Sequence, residues 1–213
     1  MHVYRYARCR KHHQRGFVLL VALVFLVLMS MLAVVASQHA RLQERIAGSL
    51  RNAQQARLSA ETALRGAEYR LWSIAAQPDA RLHCSEEVIS NDGCVVYRAY
   101  SGLYASNGAV NRFRAASGWI TGIGVTYQGP ARRGYTGNAN PTAALAKDPV
   151  YIIEDLGSER PPGVGGLHES GNTGPDSGNQ IDMHIYRVTA RATGGRGDVV
   201  TVMQSTFDAP GNL

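Results

Sequence analysis

Few side chains in this sequence have types and spacings suited to chemistry. Those that do point to stapling and turn formation before catalysis. Cys84 and Cys94 are separated by nine residues, while the third cysteine, Cys9, stands upstream among basic residues. In an oxidising compartment the pair would close a small loop, contributing about 2–3 kcal/mol by restricting the unfolded chain; in a reducing one it would remain two thiols. His83 and His168 fall in stretches that read as loops, and no Ser-His-Asp arrangement, HExxH, CxxC or phosphate-cradling glycine loop accompanies them. Asp176, Asn179 and Asp182 offer the oxygen ligands calcium takes, but their spacing departs from the EF-hand loop and solvated turn residues are the preferred reading. Arg196-Gly197-Asp198 spells an integrin-recognised tripeptide, although Gly and Asp are also what a tight turn needs. No catalytic residue, cofactor or metal is expected, so the chain reads as a non-enzymatic protein.

The element that must position everything else is the apolar run 17–36, FVLLVALVFLVLMSMLAVVA, in which Ser30 is the one polar side chain. About 20 residues of helix span a hydrocarbon core of roughly 30 Å. Arg5, Arg8, Arg10, Lys11 and Arg15 precede it with no acidic residue, which keeps the N-terminus cytoplasmic and sends the remainder across the inner membrane. These five cations account for most of the formal net charge of +6, so the basic balance records topology and no direct nucleic-acid binding is expected. An exported Cys84/Cys94 pair is then expected as a disulfide.

After the run the pattern becomes amphipathic without a break. Leu42, Ile46, Leu50, Ala53, Ala56, Ala60, Ala63, Ala67, Leu71 and Ile74 recur at helical steps, and no proline interrupts residues 17–77. The helix is expected over about 17–76, with Pro78 and Asp79 ending it and pairs such as Glu61 with Arg65 supporting its surface. Gly48 and Gly66 are weak points that permit bending or close packing. Short β-prone runs follow at 95–97 and 119–127. Long Gly/Pro/Asn/Ser-rich loops fill much of 129–180 around a strand at 150–156, and two longer strands at 183–193 and 199–207 are joined by a turn at 194–197. The expectation is an α+β fold in which the long helix is packed by a small, three-stranded antiparallel sheet.

Three groups of residues carry a family resemblance. The junction Arg15-Gly16-Phe17 resembles the cleavage site of a type IV prepilin. The stretch 42–68, with Leu42, Gln43, Glu44, Arg45, Ala47, Gly48, Ala60, Glu61, Ala63 and Leu64, resembles the N-terminal region of PilX-type minor pilins, and residues 183–207 are more weakly similar to their terminal hairpin. The resemblance implies the type IV pilin fold and a division into a leader (1–16), a membrane or fibre-core half of the helix (17–36), an amphipathic half (37–77) and a periplasmic β-rich head (78–213). It further implies cleavage by prepilin peptidase between Gly16 and Phe17 and N-methylation of Phe17. The implied location is the inner membrane and then the pilus at the cell surface.

Most pilins carry a glutamate at the position occupied here by Val21. That carboxylate is thought to pair with a neighbouring subunit's N-terminal amine, because an unpaired charge in an apolar core is expensive. Its replacement by valine resembles PilX-type pilins and the tip pseudopilin of type II secretion, and implies a subunit at or near a fibre tip. Other minor pilins, the major pilin and a tip adhesin are the implied partners, and twitching motility, adhesion and DNA uptake the implied contexts. The alternatives are that pseudopilin and, from another class, a single-pass periplasmic sensor or binding protein retaining its leader.

Overall fold

The computed structural model describes residues 15–77, 82–137, 143–158 and 183–211. The chain divides into two compact units, Met1–Ser49 and Leu50–Leu213. Helix α1 spans Arg15–Ala75. Its end agrees with the expected one to within a residue, while Pro78 and Asp79, read as the stop, lie outside the described residues.

In the first unit the described helical side chains are exposed, with Val21 alone partly covered. The Ser30 hydroxyl donates to the Val27 carbonyl at 2.8 Å and Ser37 to Val34 at 2.9 Å. Both hydroxyls are thereby satisfied within the helix, as an apolar medium requires.

The second unit is a three-layer head. Its strands are β1 (Cys84–Ser85), β2 (Cys94–Val96), β3 (Val125–Thr126), β4 (Val150–Ser158), β5 (Met183–Thr193) and β6 (Val200–Pro210). They form one sheet in the order β1-β2-β4-β5-β6, with β3 also on β4. The expected antiparallel set β4-β5-β6 is present, but the sheet is larger and mixed, because β1-β2 and β2-β4 pair in parallel. The stretch 119–127 contributes only the two residues of β3, consistent with the positive φ of Gly122 and Gly124 breaking it.

On one face of the sheet, Ala63, Leu64, Ala67 and Leu71 of α1 pack with Tyr151, Ile153, Tyr186, Val188 and Ala190. The small alanines let helix and sheet approach closely. The stripe differs from the periodic expectation at its start: Ala53 is exposed and Asn52 buried, while Leu50 remains exposed. Asn52 is buried because the β5–β6 turn needs its side-chain oxygen, which accepts the Arg196 N–H at 2.9 Å. Leu42 and Ile46, also expected in the stripe, are exposed in the first unit. On the opposite face, Val95, Val150 and Ile152 pack with Val110 and Phe113 of a short helix α2 (Ala109–Ala115). This second layer, preceded by a 3-10 turn at Gly102–Tyr104, explains why 150–153 is continuously apolar: β4 is buried on both faces.

Candidate functional site

The candidate site residues occupy three places. Gly16, Phe17 and Val21 lie on α1 in the first unit, where Phe17 is 73% exposed. No carboxylate occurs between Gly16 and Gln43. By length and composition α1 is apolar enough to cross a membrane.

Cys84 and Cys94 form a disulfide, their Cα atoms 4.5 Å apart. They are register partners on β1 and β2, so the staple joins two strands too short to hold each other by hydrogen bonds alone. The loop it closes is tied to α1 by Arg70. Arg70 donates from Nη2 to Asp92 Oδ1 at 2.5 Å, and from Nη1 to the Asp92 carbonyl at 3.2 Å and the Tyr151 hydroxyl at 3.1 Å. Asp92 also accepts the backbone N–H of His83 at 3.3 Å. Burial alone would raise the Asp92 pKa, but the His83 N–H and the Arg70 guanidinium outweigh it and hold the carboxyl below its ordinary value. His83 thus has a partner, but in a structural knot and not in a catalytic pair. His168, Asp176, Asn179 and Asp182 lie outside the described residues.

The turn bearing Arg196, Gly197 and Asp198 docks on α1 through Asn52 and through Gln55, which accepts the Gly195 N–H at 3.3 Å. Arg196 grips Asp198 in a fork, with Nε–Oδ1 3.2 Å and Nη2–Oδ2 2.6 Å. The two charges an adhesive tripeptide would offer to a receptor are turned on each other.

Two buried ionic groups set the sheet against its second layer. Arg187 donates from Nε and Nη2 to Glu154 at 2.9 and 2.6 Å across β4 and β5, and this bond, ahead of the opposing burial, raises the arginine's pKa. Arg191 is fully buried and donates to the carbonyls of Phe113 and Ala116 at the C-terminal end of α2 and to that of Gly118. Burial lowers its pKa, and the three carbonyls supply the compensation a desolvated guanidinium needs. Strand alternation puts Arg187 and Arg191 on one face of β5, and α2 with the segment after it covers that face at Arg191.

A groove of about 740 Å³ runs between α1 and the segment after β3, lined by Leu58, Thr62, Arg65, Tyr69, Tyr127 and Pro130 among others. Gly66 forms its floor: a Cβ there would stand 2.2 Å from Cε2 of Tyr127. Of the two roles expected for Gly66, close packing is the one observed. Arg65 pairs with Glu68 at 3.2 Å, not with the Glu61 expected from spacing. Among the described residues no three His, Cys, Asp or Glu side chains converge to hold a metal ion.

A long N-terminal helix, apolar and exposed in its first half and packed on a sheet in its second, is a pilin-like α+β architecture. The match is carried by two family regions: the C-terminal region of the type IV pilus assembly protein PilX over residues 77–209 and the PilX N-terminal region over residues 15–65. The chain belongs to the PilX family of type IV pilus assembly proteins, and as such interacts with other components of the type IV pilus. No curated protein and no solved structure matches it.

Proposed function

We propose that this protein is a minor pilin, a structural and non-enzymatic subunit that helps prime type IV pilus assembly and sits at or near the pilus tip. The observation that carries this reading is Val21. It stands on an exposed apolar helix at the position where most pilins carry a glutamate, so the subunit cannot accept a neighbour's N-terminal amine there. A shaft subunit without that carboxylate would bury its neighbour's charge unpaired; a tip subunit has no neighbour on that side.

In this reading residues 1–16 are a leader, prepilin peptidase cuts between Gly16 and Phe17, and Phe17 is N-methylated. Residues 17–36 hold the protein in the inner membrane with the head in the periplasm, then pack among other pilin helices in the fibre. Its partners are other minor pilins, the major pilin and a tip adhesin, and its part in twitching motility, adhesion or DNA uptake follows from the pilus.

Two measurements test the proposal. The N-terminal mass of protein from membranes should show a methylated Phe17 start that depends on the peptidase; an intact leader in peptidase-positive cells would remove the prepilin step. Val21→Glu should reduce surface pilus number or shift the variant into the shaft, and unchanged pilus number and composition would overturn the tip reading.

A further inference from the structure

Strand β6 closes one side of the sheet. Its ladder with β5 runs without a register shift from Thr193↔Val200 to Met183↔Pro210. Its Pro210 carbonyl accepts from the Tyr186 hydroxyl at 3.4 Å, and among the described residues the backbone of 200–209 makes no backbone hydrogen bond beyond that ladder. An edge of eleven residues is long, and apart from the exposed Asp208 near its end it lacks the devices that normally blunt such an edge. It has no lysine or arginine, no bulge, and no proline before its final residue. The backbone groups along its outer side are therefore a row of donors and acceptors that an extended strand would satisfy.

The side chains of β6 indicate which strand. Met203, Ser205 and Phe207 lie on the α1 side, where Met203 and Phe207 flank the helix-facing core and the Ser205 hydroxyl donates to Glu68 at 2.6 Å. Gln204, Thr206 and Asp208 lie on the other side and are exposed. About Ser205 this pattern is self-complementary. An antiparallel copy with its two-fold axis at Ser205 sets Met203 against Phe207 twice on one face and Gln204 against Thr206 twice on the other. Asp208 falls opposite Val202, so no like charges on β6 are opposed. The nearest acidic side chain on α1, Glu68, meets the axis already paired with Arg65 at 3.2 Å. Apolar and polar cross-strand pairs in register are what stabilises a sheet, and a closed two-fold is the commonest way a single chain satisfies a self-matching edge.

We infer that β6 is the pairing edge for a second copy of this chain, the two heads joining antiparallel about Ser205 into one continuous sheet. The inference is independent of the tip reading, since it concerns the head alone.

The test uses the full chain in detergent micelles in a Cys9→Ser background. Gln204→Cys protein mixed with Thr206→Cys protein should form an intermolecular disulfide under mild oxidation. Two controls, Val88→Cys and Tyr100→Cys, sit on exposed residues away from β6 and should not. The double variant Gln204→Lys/Thr206→Lys should weaken dimerisation at least about tenfold in sedimentation, with an unchanged melting temperature showing that the head is folded. A monomeric head at micromolar concentration overturns the proposal. So does a dimer that survives the lysine pair, or cross-linking as efficient at the control positions. Protection of the Gln204 and Thr206 cysteines by another pilus component, with no homodimer, would assign the edge to a heterologous strand and overturn the second copy.

Discussion

The Arg191 guanidinium lies 5.6 Å from the ring centroid of Phe113 and donates from Nε and Nη2 to the carbonyl of the same residue, at 3.0 and 2.7 Å. A side chain from the middle of β5 thus closes the C-terminal end of α2, where helix carbonyls have lost their intrahelical partners and favour a cation. The second layer of the head is attached to the sheet through this point.

Removing that point should cost about as much as a large-to-small core change. Arg191→Lys keeps the charge but loses the planar fork that reaches three carbonyls, and Arg191→Met leaves all three unpaired. Each variant is expected to lose about 2–4 kcal/mol. Urea unfolding of the full chain in detergent checks this, with Arg133→Lys on an exposed residue as a control that should change stability by less than about 0.5 kcal/mol.

The disulfide stabilises by shortening the unfolded chain's freedom. Cys84→Ser with Cys94→Ser is expected to lower stability by about 2–3 kcal/mol. The loss should centre on β1, β2 and the loop between them, which hydrogen exchange would show as faster exchange there than on β5. Equal loss of protection across β5 would contradict a local role for the staple.

Asp92 gives the head an acid-sensitive clamp. Its folded pKa is depressed, so its contribution is complete above the unfolded aspartate value and fades as pH falls through the folded one. Stability measured downward from about pH 5 should therefore decline, and Asp92→Asn should flatten that part of the profile. The pair is partly exposed, so the variant's loss near neutral pH should stay within about 1 kcal/mol. An unchanged acid limb in the variant would remove Asp92 from the explanation.

Gly66 offers a sign test. Alanine is the better helix former by about 1 kcal/mol, but here its methyl would meet the Tyr127 ring, which stacks on Tyr135 with centroids 6.3 Å apart. Gly66→Ala is expected to destabilise by about 1 kcal/mol. In a Tyr127→Ala background the same change should stabilise. Thermal unfolding of the four proteins of this cycle separates the two effects, and stabilisation in both backgrounds would show that the ring moves aside at no cost.

What the sequence determined by itself is what depends on local pattern. The unbroken apolar run, the period of the alanine stripe and the alternation along β5 each arise from steric and solvation rules that act over a few residues. They placed α1, the three main strands and the hairpin turn close to where they lie. The Cys84/Cys94 pairing was also legible, because the sequence downstream of the apolar run holds just these two cysteines. Only the tertiary structure decided which strands neighbour each other, since β2 joins β4 in parallel across more than fifty residues of chain and no local rule selects such a pairing. It likewise decided that Asn52 and not Ala53 is buried, because the reason is a backbone N–H on Arg196 far along the chain. It decided as well that Arg191 and Glu154 are buried and that Arg70 is partly so. A charged side chain is buried when distant groups arrive to satisfy it, and those groups are carbonyls and carboxylates whose positions the fold alone sets.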